Sequence, residues 1–242
     1  MLPSRSLKLI AAFVSASIAI YLSAPTALAS GMQATSSYLL DGPIGRDTAD
    51  SFRKAVAEAS PRIRWLVVDS PGGEVGAALD MANVMRREGI SIYVHGYCAS
   101  SCANYLFVSA RFKVLGPNAV VGWHGSPASE HIEGLDTLPP HDRAIAEVIR
   151  RRLVREERKL FAQVGVDPRL LCAGDRTIAK AGAFGWTMPI RAMTQFGVGP
   201  VISLAGDRNI PTIVPGHAEP LLVIEPRLDC QRTYPSIGPS PY

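Results

Sequence analysis

Ile63-Arg64-Trp65-Leu66-Val67-Val68-Asp69-Ser70-Pro71-Gly72-Gly73-Glu74-Val75 is the stretch on which the reading of the fold turns. Residues 63–68 are a short, largely apolar run, as a strand buried on both faces of a parallel sheet requires. A turn rich in glycine follows. From residue 75 to residue 87 the apolar positions Val75, Leu79, Ala82, Val84 and Met85 recur at near-helical spacing, and Gly89 supplies the stop. A strand that passes through a tight turn straight into a helix is the first half of a βαβ unit, and such units cross over with a right hand.

The same rhythm continues on both sides. Residues 37–40 read as a short strand, Gly42-Pro43-Ile44-Gly45 as a break and residues 48–59 as a helix. Further on, residues 90–94 read as a strand, and Gly96 opens a turn into a helix of small residues that runs to Val108. Residues 112–115 and 120–123 read as two more strands. The expectation is an α/β fold with a mostly parallel sheet in a single domain. The second half is less regular. Residues 127–140 form a polar loop, and residues 142–164 a long helix in which Arg150, Arg151, Arg152, Arg155, Arg158 and Lys159 alternate with apolar residues. Glu147, Glu156 and Glu157 lie among them, and a mixed-sign face of this kind favours a solvated or subunit-facing surface over an anion site. Prolines at 211, 215, 220, 226, 235, 239 and 241 predict an extended surface tail, with residues 221–224 suited to add an edge strand.

With 47% hydrophobic and 19% charged residues, the 242-residue chain is neither disordered nor a coiled coil, and its length suits one domain. The net charge of +4 falls to +2 without Arg5 and Lys8, too little to drive phosphate binding unless it is clustered, so no nucleic-acid partner is expected. Arg5 and Lys8, the charge-free apolar run 9–22 and Ala27-Leu28-Ala29 read together as a secretory signal peptide cleaved before Ser30. That run is shorter than the roughly 20 residues a spanning helix needs, so the mature protein is expected to be exported, to the bacterial periplasm, and to have no membrane partner. The expected division is a signal peptide at 1–29, a domain at 30–205 and a Pro-rich tail at 206–242.

An exported chain with four cysteines favours disulfides over zinc or free thiols. Cys98, Cys102, Cys172 and Cys230 allow three connectivities. A local Cys98–Cys102 bridge with Cys172–Cys230 tying down the tail is one of them, although two cysteines on one helical face need not suit a bridge. Small buried apolar residues are the plain alternative.

Two stretches carry chemistry. In the first, the Gly72-Gly73 turn at the end of a buried strand leaves backbone N–H groups unobstructed beside a helix N-terminus, a good place for an oxyanion hole. In the second, Gly96-Tyr97-Cys98-Ala99-Ser100-Ser101-Cys102-Ala103-Asn104 is followed by Gly122-Trp123-His124-Gly125. A serine in a tight strand-to-helix turn exposes its hydroxyl, and His124 at a strand end can serve as its base. The other histidines, His95, His131, His141 and His217, show no metal-ligand spacing, and neither a metal nor a cofactor is expected.

From residue 37 to His124, and again from Trp186 to Val198, the chain resembles the Clp-type proteolytic subunit family and its exported relatives in the crotonase-like ββα superfamily. The motifs at Gly42, Asp69, Gly96 and Gly122 follow one another in that family's order. The resemblance implies a crotonase-like ββα superhelix, with Ser100 as nucleophile, His124 as general base, and the Gly73 and Ser101 N–H groups as oxyanion hole. It departs from the pattern at the third member. The family's acid position falls here on Gly185 or Trp186, which carry no carboxylate; Asp175 is the nearest substitute, ahead of Asp207. Lys180, the alternative suggested by serine/lysine dyads of signal-peptide-peptidase relatives, lies in no matching motif.

What the resemblance implies is an exported serine peptidase, homo-oligomeric and acting on peptide or protein substrates. A catalytically inactive scaffold binding peptides or partner subunits is the alternative. An acyl-CoA enzyme, which uses a similar oxyanion hole, conflicts with the signal peptide.

Overall fold

β2 (Ile63–Ser70) lies inside a sheet in which every pairing is parallel. β1 (Ser36–Asp41) pairs with one edge of it and β3 (Ser91–Ala99) with the other. The far edge of β3 is shared, its first half pairing with β4 (Lys113–Leu115) and its second half with β5 (Val120–Gly122). β7 (Val201–Ser203) completes the sheet beside β4. This is an α/β fold built on a parallel sheet. The computed structural model describes residues 36–129, 134–174, 181–206, 211–215 and 218–225.

The helices α1 (Arg46–Glu58) and α2 (Val75–Glu88) connect β1 to β2 and β2 to β3. Leu66, Val68, Leu79, Met85 and Ile92 are all fully buried, which explains the apolar periodicities of strand and helix alike. A short π-helical segment, Cys102–Phe107, follows β3. α3 (Pro140–Val164) is the long charged helix, and only its Glu157, Leu160 and Phe161 are buried. Beyond it, α4 (Ile190–Gln195) follows β6 (Gly185–Thr187), which pairs in parallel with β8 (Leu221–Val223) in a second, two-stranded sheet. No helix among the described residues is long and apolar enough to cross a membrane. Residues 1–35 lie outside the description, and with them the expected signal peptide.

One expectation needs correction. Gly96 does not open a turn into a helix, because β3 runs on through it to Ala99. The reason is Asp69 at the end of β2, whose carboxylate accepts the N–H groups of Gly96 and Tyr97. The irregularity becomes a bulge, with Val68 opposite Val94 but Ser70 opposite Cys98. Most of the described part of the Pro-rich segment is exposed or half-buried, with a few apolar side chains anchoring it. Val214 and Leu221 are buried against Ala99 and Val120, and β8 forms where an edge strand was expected, on β6 rather than on the main sheet.

Candidate active site

Pairing of β3 with β5 brings the two halves of the site together. Tyr97, Cys98 and Ala99 stand opposite Val120, Val121 and Gly122, so the residues that leave the two strand ends, Ser100 and His124, emerge at one place despite their distance in sequence. The Ser100 N–H donates to the Gly122 carbonyl at 2.9 Å. His124 Nε2 and Ser100 Oγ are 2.6 Å apart, within reach for proton transfer. Ser100 has φ 56°, and it is the one non-glycine residue with positive φ among those described. A left-handed backbone at a serine costs roughly 1–2 kcal/mol and persists only where its surroundings enforce it. Here they do. The Cys98–Cys102 disulfide, with its Cα atoms 5.3 Å apart, brackets Ser100, and the Ser100 carbonyl accepts the Asn104 N–H at 2.8 Å. Because Cys98 ends a strand and does not share a helical face with Cys102, the concern over an i,i+4 bridge does not arise.

The Gly72-Gly73 turn packs directly on this serine. Gly72 has φ +92°, and a Cβ there would fall 2.6 Å from the Ala99 carbonyl oxygen, 2.7 Å from Ser100 Cβ and 2.8 Å from Ser101 N. Only glycine permits that approach. Gly73 bridges to Ile44 on one side and turns its own polar groups toward Ser101 on the other. The Gly73 N–H donates to Ser101 Oγ at 2.8 Å, and that hydroxyl donates to the Gly73 carbonyl at 3.1 Å. Of the two amides expected in an oxyanion hole, that of Gly73 is therefore engaged by a side chain in this state.

Ser100, Ser101 and His124 open on a cavity of about 550 Å³ whose wall includes Val75, Leu135, Ile149 and Leu153. One side of it is the loop after His124. Asn104 Nδ2 donates to the Gly125 carbonyl at 3.2 Å, and Arg150 Nη1 donates to the Pro127 carbonyl at 3.1 Å. Behind the cavity stands Glu157, fully buried, which accepts hydrogen bonds from Tyr105 Oη at 2.7 Å and Ser126 Oγ at 3.1 Å. Sequence reasoning placed Glu157 with the solvated charges of its helix and assigned no role to Asn104. The one available signal was that Glu157 falls one turn before Phe161, on the apolar stripe rather than among the arginines.

At the expected acid position the chain does reach His124, but without a carboxylate. Trp186 and Trp123 exchange backbone hydrogen bonds of 2.7 and 2.8 Å, and the Phe184 ring packs edge-on against the His124 imidazole at 5.3 Å. Asp175, Lys180, Asp207, His131, His217 and Cys230 lie outside the described residues. Cys172 is disulfide-bonded, and no described cysteine is free. His95 belongs to a separate cluster, where its Nδ1 lies 2.7 Å from the Asp69 carboxylate. His141 lies in the first turn of α3. Among the described residues no group of three or more His, Cys, Asp and Glu side chains could hold a metal ion. The chain matches no protein-family model and no curated protein.

Proposed function

We propose that this chain is an exported serine peptidase of the Clp-type proteolytic, crotonase-superfamily kind, hydrolysing peptide bonds at Ser100. The observation that carries the reading is the 2.6 Å contact between Ser100 Oγ and His124 Nε2, at a serine held with positive φ on the rim of a largely apolar cavity. His124 removes the hydroxyl proton as Ser100 Oγ bonds to the peptide carbonyl carbon. The developing oxyanion is met by the Ser101 N–H and, once Ser101 Oγ releases it, by the Gly73 N–H. Collapse of the intermediate breaks the C–N bond, and the leaving amine takes the proton from His124. Water, deprotonated by the same imidazole, then hydrolyses the acyl-enzyme and restores Ser100. Asp175 is the substitute proposed for the orienting acid. Assembly into a homo-oligomer belongs to the same reading.

One observation favours the alternative of an inactive peptide-binding scaffold, namely the Ser101 hydroxyl occupying the Gly73 N–H. Incubation of the purified protein with a complex peptide mixture, followed by mass spectrometry, separates the two. The peptidase reading predicts new termini that disappear in Ser100→Ala and in His124→Ala. Identical peptide profiles for wild type and Ser100→Ala, with peptides retained on the protein, would support the scaffold.

A further inference from the structure

Glu157 lies on α3, a helix whose other two glutamates pair with arginines: Glu147 with Arg150 at 3.0 Å and Glu156 with Arg152 at 3.3 Å. Glu157 instead is wholly buried. A carboxylate withdrawn from water must receive hydrogen bonds, and two of its donors come from the two halves of the site. Tyr105 belongs to the helix that Ser100 leads into; Ser126 belongs to the loop that His124 leads into. Ser126 in turn shapes that loop. Its Oγ accepts the Ala128 N–H at 3.1 Å, and its own N–H donates to Ser129 Oγ at 2.9 Å. A hydroxyl has one proton, and since Ser126 Oγ is already an acceptor, that proton is the one given to Glu157. Tyr105 and Ser126 both line the cavity, whereas Glu157 does not.

We infer that Glu157 is a positioning residue, whose carboxylate pins the helix after Ser100 and the loop after His124 to one point and so keeps Oγ and Nε2 within proton-transfer distance. The inference rests on the peptidase reading above. Leu160 and Phe161 pack α3 into the core and Arg150 holds the Pro127 carbonyl, but the bonds from Tyr105 Oη and Ser126 Oγ are the ones that bring both elements to a single buried carboxylate. A displacement of about 1 Å between reacting groups can cost about 10²-fold in rate.

The test is the rate of modification by a fluorophosphonate probe, in which Ser100 Oγ bonds to phosphorus, fluoride leaves and the proton passes to His124. Saturation kinetics separate binding in the cavity (KI) from the chemical step (kinact). Labelling of wild type and Ser100→Ala comes first, since absence of a Ser100 adduct removes the peptidase reading, and this inference with it. Given that adduct, the apolar triple variant Tyr105→Phe, Ser126→Ala, Glu157→Leu leaves no polar group of the trio unpaired. Its kinact is expected to fall by about 30- to 100-fold with KI within about threefold, the split that lost positioning predicts. Glu157→Gln, which keeps an acceptor oxygen, is expected to stay within about fivefold of wild type. A triple variant that labels within about twofold of wild type overturns the assignment, as does a loss confined to KI. Should the triple variant not fold, Tyr105→Phe and Ser126→Ala are read singly, with kinact losses of about three- to tenfold expected from each lost hydrogen bond and no loss in either overturning it.

Discussion

Ser101, next to Ser100, turns its hydroxyl onto the Gly73 backbone. The residue is 2% exposed and its hydroxyl bonds to both the N–H and the carbonyl of Gly73, so a substrate oxyanion would compete with it for the Gly73 N–H. Ser101→Ala removes the competitor and leaves both amides in place. Modification of Ser100 by a fluorophosphonate should then quicken about three- to tenfold, which is what release of one hydrogen bond worth about 1 kcal/mol allows. A slower reaction would instead make the Ser101 hydroxyl a donor in the oxyanion hole. That Ser100, His124 and the Gly72-Gly73 turn come together was legible from the order of their motifs rather than from any one of them, since each alone is as well read as punctuation or a polar residue. Ser101 was legible as an amide only, because nothing local reveals that its side chain points at a glycine on another strand.

Elements meet at Lys113, the first residue of β4, and its burial has a measurable consequence. Its ammonium donates to the Ala110 carbonyl at 2.8 Å and to the Gly199 carbonyl at 3.3 Å, near the end of the Cys102–Phe107 helix. The residue is 2% exposed, and burial lowers its pKa from 10.5 to about 8. A cation whose folded pKa lies below its unfolded value weakens the fold while both states are charged. As pH rises from about 8 to 10.5 the unfolded chain holds more protons than the native one, and stability climbs by about 3 kcal/mol. The difference in unfolding free energy between wild type and Lys113→Met, followed by urea titration across that window, should change by this amount in favour of wild type. A flat difference would contradict it. The strand itself was legible from residues 112–115, and what was hidden is the depth at which it lies, since a lysine at a strand start ordinarily reads as solvent-facing.

The folded body draws on parts of the chain that look dispensable. Leu221, in the proline-rich segment, is 2% exposed and fills the space that Gly122 leaves; a Cβ on Gly122 would come within 2.7 Å of it. The Gly122 carbonyl in turn accepts the Ser100 N–H, so this packing lies one hydrogen bond from Ser100 and two residues from His124. Leu221→Ala should cost about 2–4 kcal/mol in denaturant unfolding and slow modification of Ser100 as well. Loss of stability with unchanged labelling would separate the second sheet from the site. The βαβ rhythm was legible because buried parallel strands and amphipathic helices announce themselves by period. β8 was expected as an edge strand, but its partner β6 and the Trp123–Trp186 exchange were not, because the partners lie far apart in sequence and a strand as short as β6 has no period. For the same reason the bulge at Gly96 escaped notice: its cause is a carboxylate on the neighbouring strand.

The central claim, that Ser100 is a nucleophile activated by His124, is tested most directly by fluorophosphonate treatment followed by intact-mass measurement and peptide mapping. The account predicts one adduct per chain, on Ser100, absent from Ser100→Ala and slowed by about 10²- to 10⁴-fold in His124→Ala, the range a general base contributes. A folded wild-type protein that takes up no adduct, or an adduct that persists in Ser100→Ala, would contradict it.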